Sequence, residues 1–327
     1  MVSERFLPYV FIKLKFLANF PPIQEVIDAG LVFDFTKYLD HSLPEFQFEA
    51  LWCLTNIASG TSDNTMSVVN KGGIEKIITL MDSNIHEIQE QSVWALGNIA
   101  SDSVKTRDKV IQKRGLEKII KIFTTADRVN LIKHCVWSIS NFCRSKPAPD
   151  FELMKPAIDL VIKAIYKLDK DFEFLVDACW ILSYMTEHHK KTVKKILGTN
   201  VLPKLLSFLD LSMVYIQLPC LRIIGNIVSG NANQTQIVLD AGVLQYLKKT
   251  IFNEKRSIRK ESCWIISNIA AGTQQQIEAL ITHEFLPVLD YVIKNDEPDV
   301  NKDQNNNFII NLDTKRSYLG RLQFNIN

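Results

Sequence analysis

The sequence predicts an all-α fold, a solenoid of stacked helical repeats, and three observations carry that prediction. Trp52, Trp94, Trp137, Trp180, Arg222 and Trp264 succeed one another at intervals of 42 or 43 residues, a period that belongs to helical repeat arrays. An asparagine stands four residues after five of the six, as Asn56, Asn98, Asn141, Asn226 and Asn268, and Tyr184 takes its place after Trp180. In a second register, Gly30, Gly73, Gly115 and Gly242 precede Trp52, Trp94, Trp137 and Trp264 by 21 or 22 residues. Glycine at a helix junction supplies a left-handed or close-packed backbone. Each repeat is therefore expected to break near the same point, with Ile158 and Asn200 standing where glycine is missing.

The unit from Gly73 to Gly115 shows the elements in order. Residues 74–81 read as one amphipathic helix, and Asp82-Ser83-Asn84 forms a polar break. Residues 87–100 read as a second helix, whose Val93, Leu96, Ile99 and Ala100 recur at helical spacing toward the core while Trp94 and Asn98 fall on an adjacent stripe. After Ser101-Asp102-Ser103, a short helix over 106–112 leads back to glycine. Three helices in a period of this length is the armadillo pattern. The predicted fold is an armadillo-repeat, right-handed superhelical solenoid of about seven repeats over residues 1–293, the terminal ones partial. An Asn-rich, irregular tail is expected at 294–327. At the other end, Val10, Leu14 and Leu17 fit one face of a helix over 9–20 that Pro21-Pro22 would stop. Lys13 and Lys15 interrupt that run and no small-residue cleavage site follows, which argues against a secretory signal.

Composition narrows the classes of function. A 327-residue chain that is 46% hydrophobic can bury a large, extended core. Its net charge of +2 supplies no global pull on nucleic acid or membrane, and neither is expected as a partner. No segment has the uninterrupted apolar length of a membrane-spanning helix. Cys53, Cys135, Cys143, Cys179, Cys220 and Cys263 include no C-x-x-C pair, so they read as packing residues in a reducing compartment, cytoplasm or nucleus. His41, His86, His134, His188, His189 and His283 fall in no nucleophile or metal spacing, and no Gly-rich phosphate loop occurs. Neither an enzyme nor a cofactor is expected.

A single tryptophan at helical spacing is ordinarily core. Here an asparagine shares its stripe, and a packed interior would leave that amide unsatisfied. An exposed groove removes the difficulty, so the array reads as a binding surface.

The strings around the ladder are more specific than its period. ALWCLTNIASGTSDNT (50–65), SVWALGNIASDS (92–103), VWSISNFCRS (136–145), ACWILSYMTEH (178–188), CLRIIGNIVSG (220–230) and SCWIISNIAAG (262–272) resemble the importin alpha family over about residues 20–293. The order resembles it too, since a Trp-x-x-x-Tyr repeat and then an Arg-x-x-x-Asn repeat interrupt the Trp/Asn series. The resemblance implies a nuclear-import adaptor that binds the lysine- and arginine-rich localisation signals of cargo proteins. An asparagine amide offers a donor and an acceptor to an extended backbone, and an indole packs a lysine stem and attracts its charge.

Carried over by resemblance, the main signal groove comprises Trp52, Asn56, Gln91, Trp94, Asn98, Trp137, Asn141, Arg144, Glu173, Asp177, Trp180 and Tyr184. A selective lysine pocket is implied from the Gly60 carbonyl, the Thr65 hydroxyl and the Asp102 carboxylate, although Asp102 also reads as an N-cap for the helix that follows. The asparagines, likewise, can brace neighbouring helices instead of a ligand. A second, smaller groove is implied at Arg222, Asn226, Glu261, Trp264 and Asn268, incomplete because no further Trp/Asn helix follows 293.

Two departures bear on partners. The family's N-terminal arm, arginine-rich and binding importin beta, corresponds here only to Arg5, Lys13 and Lys15, and the last repeats, which meet the export factor, have no counterpart. Importin beta and export-factor binding are therefore not carried over. A fragment, a truncated isoform or an imperfect gene prediction would account for both, and a decoy that binds cargo without coupling to importin beta is one alternative function. A general armadillo scaffold is the other, but the grooves of that class that bind acidic partners are lined with lysine and arginine.

Overall fold

The computed structural model describes residues 23–295. The helix expected at 9–20 lies outside them, as does the tail expected at 294–327 except for its first two residues, which close the final helix. Among the described residues there are nineteen α-helices, one short 3-10 turn and no β-strand. They pack as two compact units, one running to Tyr184 and the other starting at Met185.

In the first unit, α1 (Ile23–Asp28), α2 (Leu31–Tyr38) and α3 (Pro44–Ile57) are followed by α4 (Ser62–Asn70), α5 (Gly73–Leu80) and α6 (His86–Asp102). Then come α7 (Val104–Gln112), α8 (Gly115–Thr125), α9 (Val129–Arg144), α10 (Phe151–Lys167) and α11 (Phe172–His188), whose last turn crosses into the second unit. That unit continues with α12 (Lys190–Leu197), α13 (Val201–Ser207) with its 3-10 extension Phe208–Asp210, and α14 (Val214–Val228). It ends with α15 (Ala232–Asp240), α16 (Val243–Thr250), α17 (Arg256–Ala270), α18 (Gln274–Thr282) and α19 (Phe285–Asn295). The recurring order is a short helix, a second helix and a long helix that carries the ladder. The long helices α3, α6 and α9 pack side by side, as do α14 and α17.

What breaks the chain between the first two helices is a residue with positive φ. Gly30, Gly72 and Gly242 stand there at φ 75, 76 and 84°, and Arg114 and Glu284 take the same conformation at 63 and 55°. Gly73 and Gly115 come one residue later as the first helical residues, and they are there for space. A Cβ would lie 2.7 Å from Val68 Cγ1 at the first and 2.6 Å from Val110 Cγ1 at the second.

The break expected at Ile158 does not occur, because Ile158 is buried in the middle of the continuous helix α10. Ala157, 43 residues after Arg114 as Trp180 is after Trp137, holds the equivalent position, one residue after Pro156 and inside the same helix. The helix runs on through it. At Asn200, by contrast, a junction exists without positive φ.

Each ladder helix buries the stripe beside its tryptophan: Leu51 and Leu54, Val93 and Leu96, Val136 and Ile139 in the first unit, and Ile223, Ile224, Ile265 and Ile266 in the second. Lysines tie successive second helices together. Lys76 Nζ donates to the Thr36 carbonyl at 3.0 Å and pairs with Asp40, and Lys118 Nζ donates to the Ile78 carbonyl at 2.7 Å and pairs with Asp82. Lys249 pairs with Asp210 in the second unit. The aspartates are exposed, so the carbonyl contacts do more than the ion pairs. Buried Arg107 holds the loop after α9 by donating to the carbonyls of Ser145 and Pro147. All six cysteines are free and five are buried; burial raises the Cys143 thiol to about 12. No described helix is long and apolar enough to cross a membrane.

The junctions set up a pair of substitutions with opposite signs. Gly242→Ala places a side chain at φ 84° and should cost about 1–2 kcal/mol. Arg114→Gly relieves the same strain and should stabilise by up to about 1 kcal/mol, the gain limited by glycine's backbone entropy. Urea unfolding of both variants reads the two signs, and a destabilised Arg114→Gly would contradict this account of the junction.

Candidate peptide-binding surfaces

A helix brings residues four apart onto one stripe, and the core stripe of each ladder helix leaves the neighbouring one uncovered. Trp94 is 40% exposed while its chain neighbours Val93 and Ala95 are buried. Trp52, Trp137, Trp180, Arg222 and Trp264 are each partly exposed. The indoles lie close on the helix before them. A Cβ added at Gly97 would come within 2.6 Å of Trp137 Cζ3, and one at Gly225 would come closer still to Trp264 Cζ3. Gly97 and Gly225 immediately precede Asn98 and Asn226, and the equivalent positions hold Thr55, Ser140, Ser183 and Ser267. That column of small residues is a third register in the sequence, one that the tryptophan spacing alone does not bring out.

In the first unit Trp94 and Trp137 meet edge to face, with centroids 6.4 Å apart at 86°. His134 stacks on Trp94 at 6.0 Å and 23°. Trp52 meets Phe48 edge-on at 5.7 Å, and Trp180 stacks on Tyr184 at 5.2 Å. The asparagines do brace helices. Asn98 Nδ2 donates to the Thr55 carbonyl of the preceding ladder helix at 3.1 Å, while Gln91, buried, spends its amide on Thr55 Oγ1 at 2.9 Å. One N–H and the carbonyl oxygen of Asn98 remain for a second partner. Asn56 is half-buried, and Asn141, 7% exposed, has a buried Nδ2 without a hydrogen-bond partner.

The acids differ in state. Asp102 ends α6 and accepts from Ser62 Oγ at 2.6 Å. It does not cap α7: Ser103 is that N-cap, and its Oγ accepts from the Thr106 amide. Asp102 is still one helical residue short of the cap position, so only Ser103 has the extended backbone a cap needs. Gly60 is exposed and allows the chain past Asn64, whose Oδ1 would lie 2.5 Å from a Cβ. Thr65 is fully buried, and its hydroxyl donates to the Ala58 carbonyl at 3.2 Å. Burial raises the Asp177 carboxyl to about 6, against the opposing bond it accepts from Ser140 Oγ at 3.2 Å. Glu173 is exposed and pairs with Lys133, which that bond holds above the ordinary lysine range. Arg144 ends α9 and donates to the Ser101 carbonyl at 3.3 Å.

In the second unit Arg222 Nε lies 3.6 Å from Glu261 Oε1; burial raises the Glu261 carboxyl and Arg222 opposes it. Asn226 Nδ2 donates to Thr186 Oγ1 at 3.0 Å, and Asn268 Nδ2 turns back to the Trp264 carbonyl at 2.9 Å. Between α15, α17 and α18 is a cavity of about 400 Å³ lined by Gly230, Thr235, Asn268, Gly272 and Gln276 among others. It repeats the Gly60/Thr65 arrangement, down to a Thr235 hydroxyl on the Val228 carbonyl at 3.2 Å. Gly272 stands where Asp102 would be, four residues after the asparagine. Among the described residues no cluster of histidine, cysteine and carboxylate side chains could hold a metal.

The approach of indole to glycine is open to test. Gly97→Ala and Gly225→Ala should each displace a tryptophan and cost about 1–3 kcal/mol, read as a fall in the urea midpoint with a change in tryptophan fluorescence. A fluorescence spectrum left unchanged in both would remove the close approach from the account.

The family model of the Armadillo/beta-catenin-like repeat matches residues 61–101 and 231–271. Importin subunit alpha-1a of Oryza sativa subsp. japonica is 39% identical over 273 residues, 83% of this chain and 52% of that protein. Importin subunit alpha-4 of Arabidopsis thaliana is 39% identical over 289 residues, 88% of this chain and 53% of its own length. Importin subunit alpha-B of Dictyostelium discoideum is 43% identical over 224 residues, covering 68% of this chain and 43% of that protein. The chain thus spans about half the length of the curated relatives it matches. Among solved structures, one engineered protein superposes with a TM-score of 0.76 at 25% identity, over 85% of this chain and 67% of that one. Another reaches 0.66 at 25% identity, over 74% and 97%. With two repeats matched directly, an all-helical structure of this period and relatives of about 40% identity over most of its length, the chain belongs to the importin alpha family of armadillo-repeat proteins.

Proposed function

We propose that this chain is a nuclear-import adaptor that binds lysine- and arginine-rich segments of cargo proteins in extended conformation along the Trp/Asn stripe of its first unit. It would act in both cytoplasm and nucleus. The observation that carries the reading is the partly exposed edge-to-face pair of Trp94 and Trp137, with Asn98 and Asp102 on the helix of the first and Asp177 on α11. An aliphatic stem packs against an exposed indole, its cation is attracted by the ring face, and the spare amide groups can hold the peptide backbone. Each such contact contributes about 0.5–2 kcal/mol, so recognition requires several in register. The names of the relatives support the same reading. Glu173 enters as a rim acid already shared with Lys133, and Arg222, Asn226, Glu261, Trp264 and Asn268 as a second surface of the same chemistry.

Titration of a lysine- and arginine-rich peptide tests the proposal. Trp94→Ala and Asn98→Ala should each weaken binding by about fivefold or more, and Asp102→Lys should weaken it most, since it replaces an attraction by a repulsion. Unchanged affinity in all three would overturn the assignment.

Asp177 adds a dependence on pH. With its carboxyl near 6, the charge that a cationic side chain needs disappears as pH falls through that value, so peptide affinity should drop between neutral and mildly acidic pH. Stability moves the other way: the folded chain takes up this proton at higher pH than the unfolded chain does, so this group's contribution to stability grows as pH falls toward the ordinary carboxyl range. Asp177→Asn should flatten both trends, measured by calorimetric titration and by urea unfolding across pH.

A further inference from the structure

Ser257 stands in the first turn of α17, one helical turn before Glu261 on the stripe that continues through Trp264 and Asn268. It is exposed. Seven residues before each ladder position the sequence holds Glu45, Glu87, Asn130, Glu173, Tyr215 and Ser257, all exposed, so the place that carries a carboxylate in three repeats carries a hydroxyl here. The second surface is short of negative charge. Gly272 stands in place of Asp102, burial raises the Glu261 carboxyl, and Arg222 lies against it. The first turn of α17 contains no acid, and over residues 254–261 four basic and two acidic side chains leave an excess of two positive charges.

We propose that Ser257 is a phosphorylation site for a protein kinase that selects basic sequences, and that its phosphate supplies the acid the second surface lacks for a lysine- or arginine-rich peptide. The assignment rests on the peptide-binding reading of Arg222, Asn226, Glu261, Trp264 and Asn268 and adds a condition to it. Kinases choose substrates by charge pattern, and Lys255-Arg256-Ser257-Ile258-Arg259-Lys260 puts cations on both sides of one exposed hydroxyl. A kinase must also open the local backbone. Lys255, the N-cap of α17, makes no side-chain capping bond, and an uncapped end opens ahead of the helix interior. The kinase transfers the γ-phosphoryl group of ATP: the bond from Ser257 Oγ to phosphorus forms as the bond to ADP breaks, and the hydroxyl proton leaves to a base of the kinase. A charge of about −2 then stands in the register that Glu173 holds on α11. It cancels the local positive excess, which repels a cationic peptide, and places acceptor oxygens on the stripe that leads to Trp264.

The test uses the full chain carrying Trp94→Ala and Asp102→Lys, so that peptide binding is read from the second unit. The chain is incubated with ATP and the catalytic domain of either cyclic-AMP-dependent protein kinase or protein kinase C, mapped by mass spectrometry, and titrated with a lysine- and arginine-rich peptide. One phosphate should map to Ser257 and be absent from Ser257→Ala. The phosphorylated chain should bind the peptide about two- to fivefold more tightly than the unmodified chain, with the gain fading at high salt. Ser257→Glu, which needs no kinase, should shift affinity in the same direction by less. No phosphate on Ser257 with either kinase, or no gain in affinity on phosphorylation, would overturn the assignment while leaving peptide binding by the first unit intact. Failure of the chain without any substitution to bind the peptide, phosphorylated or not, would overturn the peptide-binding reading as well.

Discussion

Each ladder tryptophan of the Trp137 and Trp264 type lies on the backbone of the helix before it, at a distance that admits no Cβ, and the proposed peptide surface depends on that approach. An indole resting on Gly97 or Gly225 is held by the previous repeat on one face and left open on the other. A larger residue beneath it would lift the ring and separate the long helices. On its other side the helix of Gly97 is tied back by Asn98, the next residue, which donates to the Thr55 carbonyl. The small residue and the amide thus join one ladder helix to the repeats on either side of it, and both recur at the repeat period.

Much of this is legible in one dimension because repetition copies local chemistry at a fixed interval. The ladder helices and the core positions Val93, Leu96, Ile99 and Ala100 follow from helical spacing alone, and all four are buried. The junction expected at Ile158 fails because glycine is not in itself the cause of the break. The cause is positive φ, which Arg114 adopts and which Ala157 and Ile158, inside a continuous helix, do not. Residue type alone makes Asp102 a plausible N-cap; the helix end falls one residue later, and Ser103 takes the role. The lysine braces and the stacking of His134 are not legible, since their partners lie about 40 residues away in sequence and each is an unexceptional residue in its own segment.

Charge at the candidate surfaces is set by packing more than by composition. Four acids that look equivalent in sequence are in four different states. Asp102 is engaged by Ser62, Glu173 is paired with Lys133, Asp177 is raised to about 6 by burial, and Glu261 is raised by burial against Arg222. The two units also differ where their sequences run parallel. Both have a glycine, a threonine turned to a carbonyl and an asparagine, but Asp102 in one corresponds to Gly272 in the other, so two equivalent arrangements carry different charge.

The bond from Asn98 to Thr55 makes the same amide a hinge pin between repeats and a contact for whatever lies along the stripe. A stack of this kind bends at its interfaces, so the angle between the helices bearing Trp52 and Trp94 and the orientation of that amide are one mechanical variable. On the proposed reading, a peptide fastened to the free side of Asn98 would stiffen the joint behind it. Conversely, tension that opened the joint would rotate the amide away from the peptide. Within this unit, grip and bending stiffness would rise and fall together, and an extended ligand would behave as a splint laid along a spring.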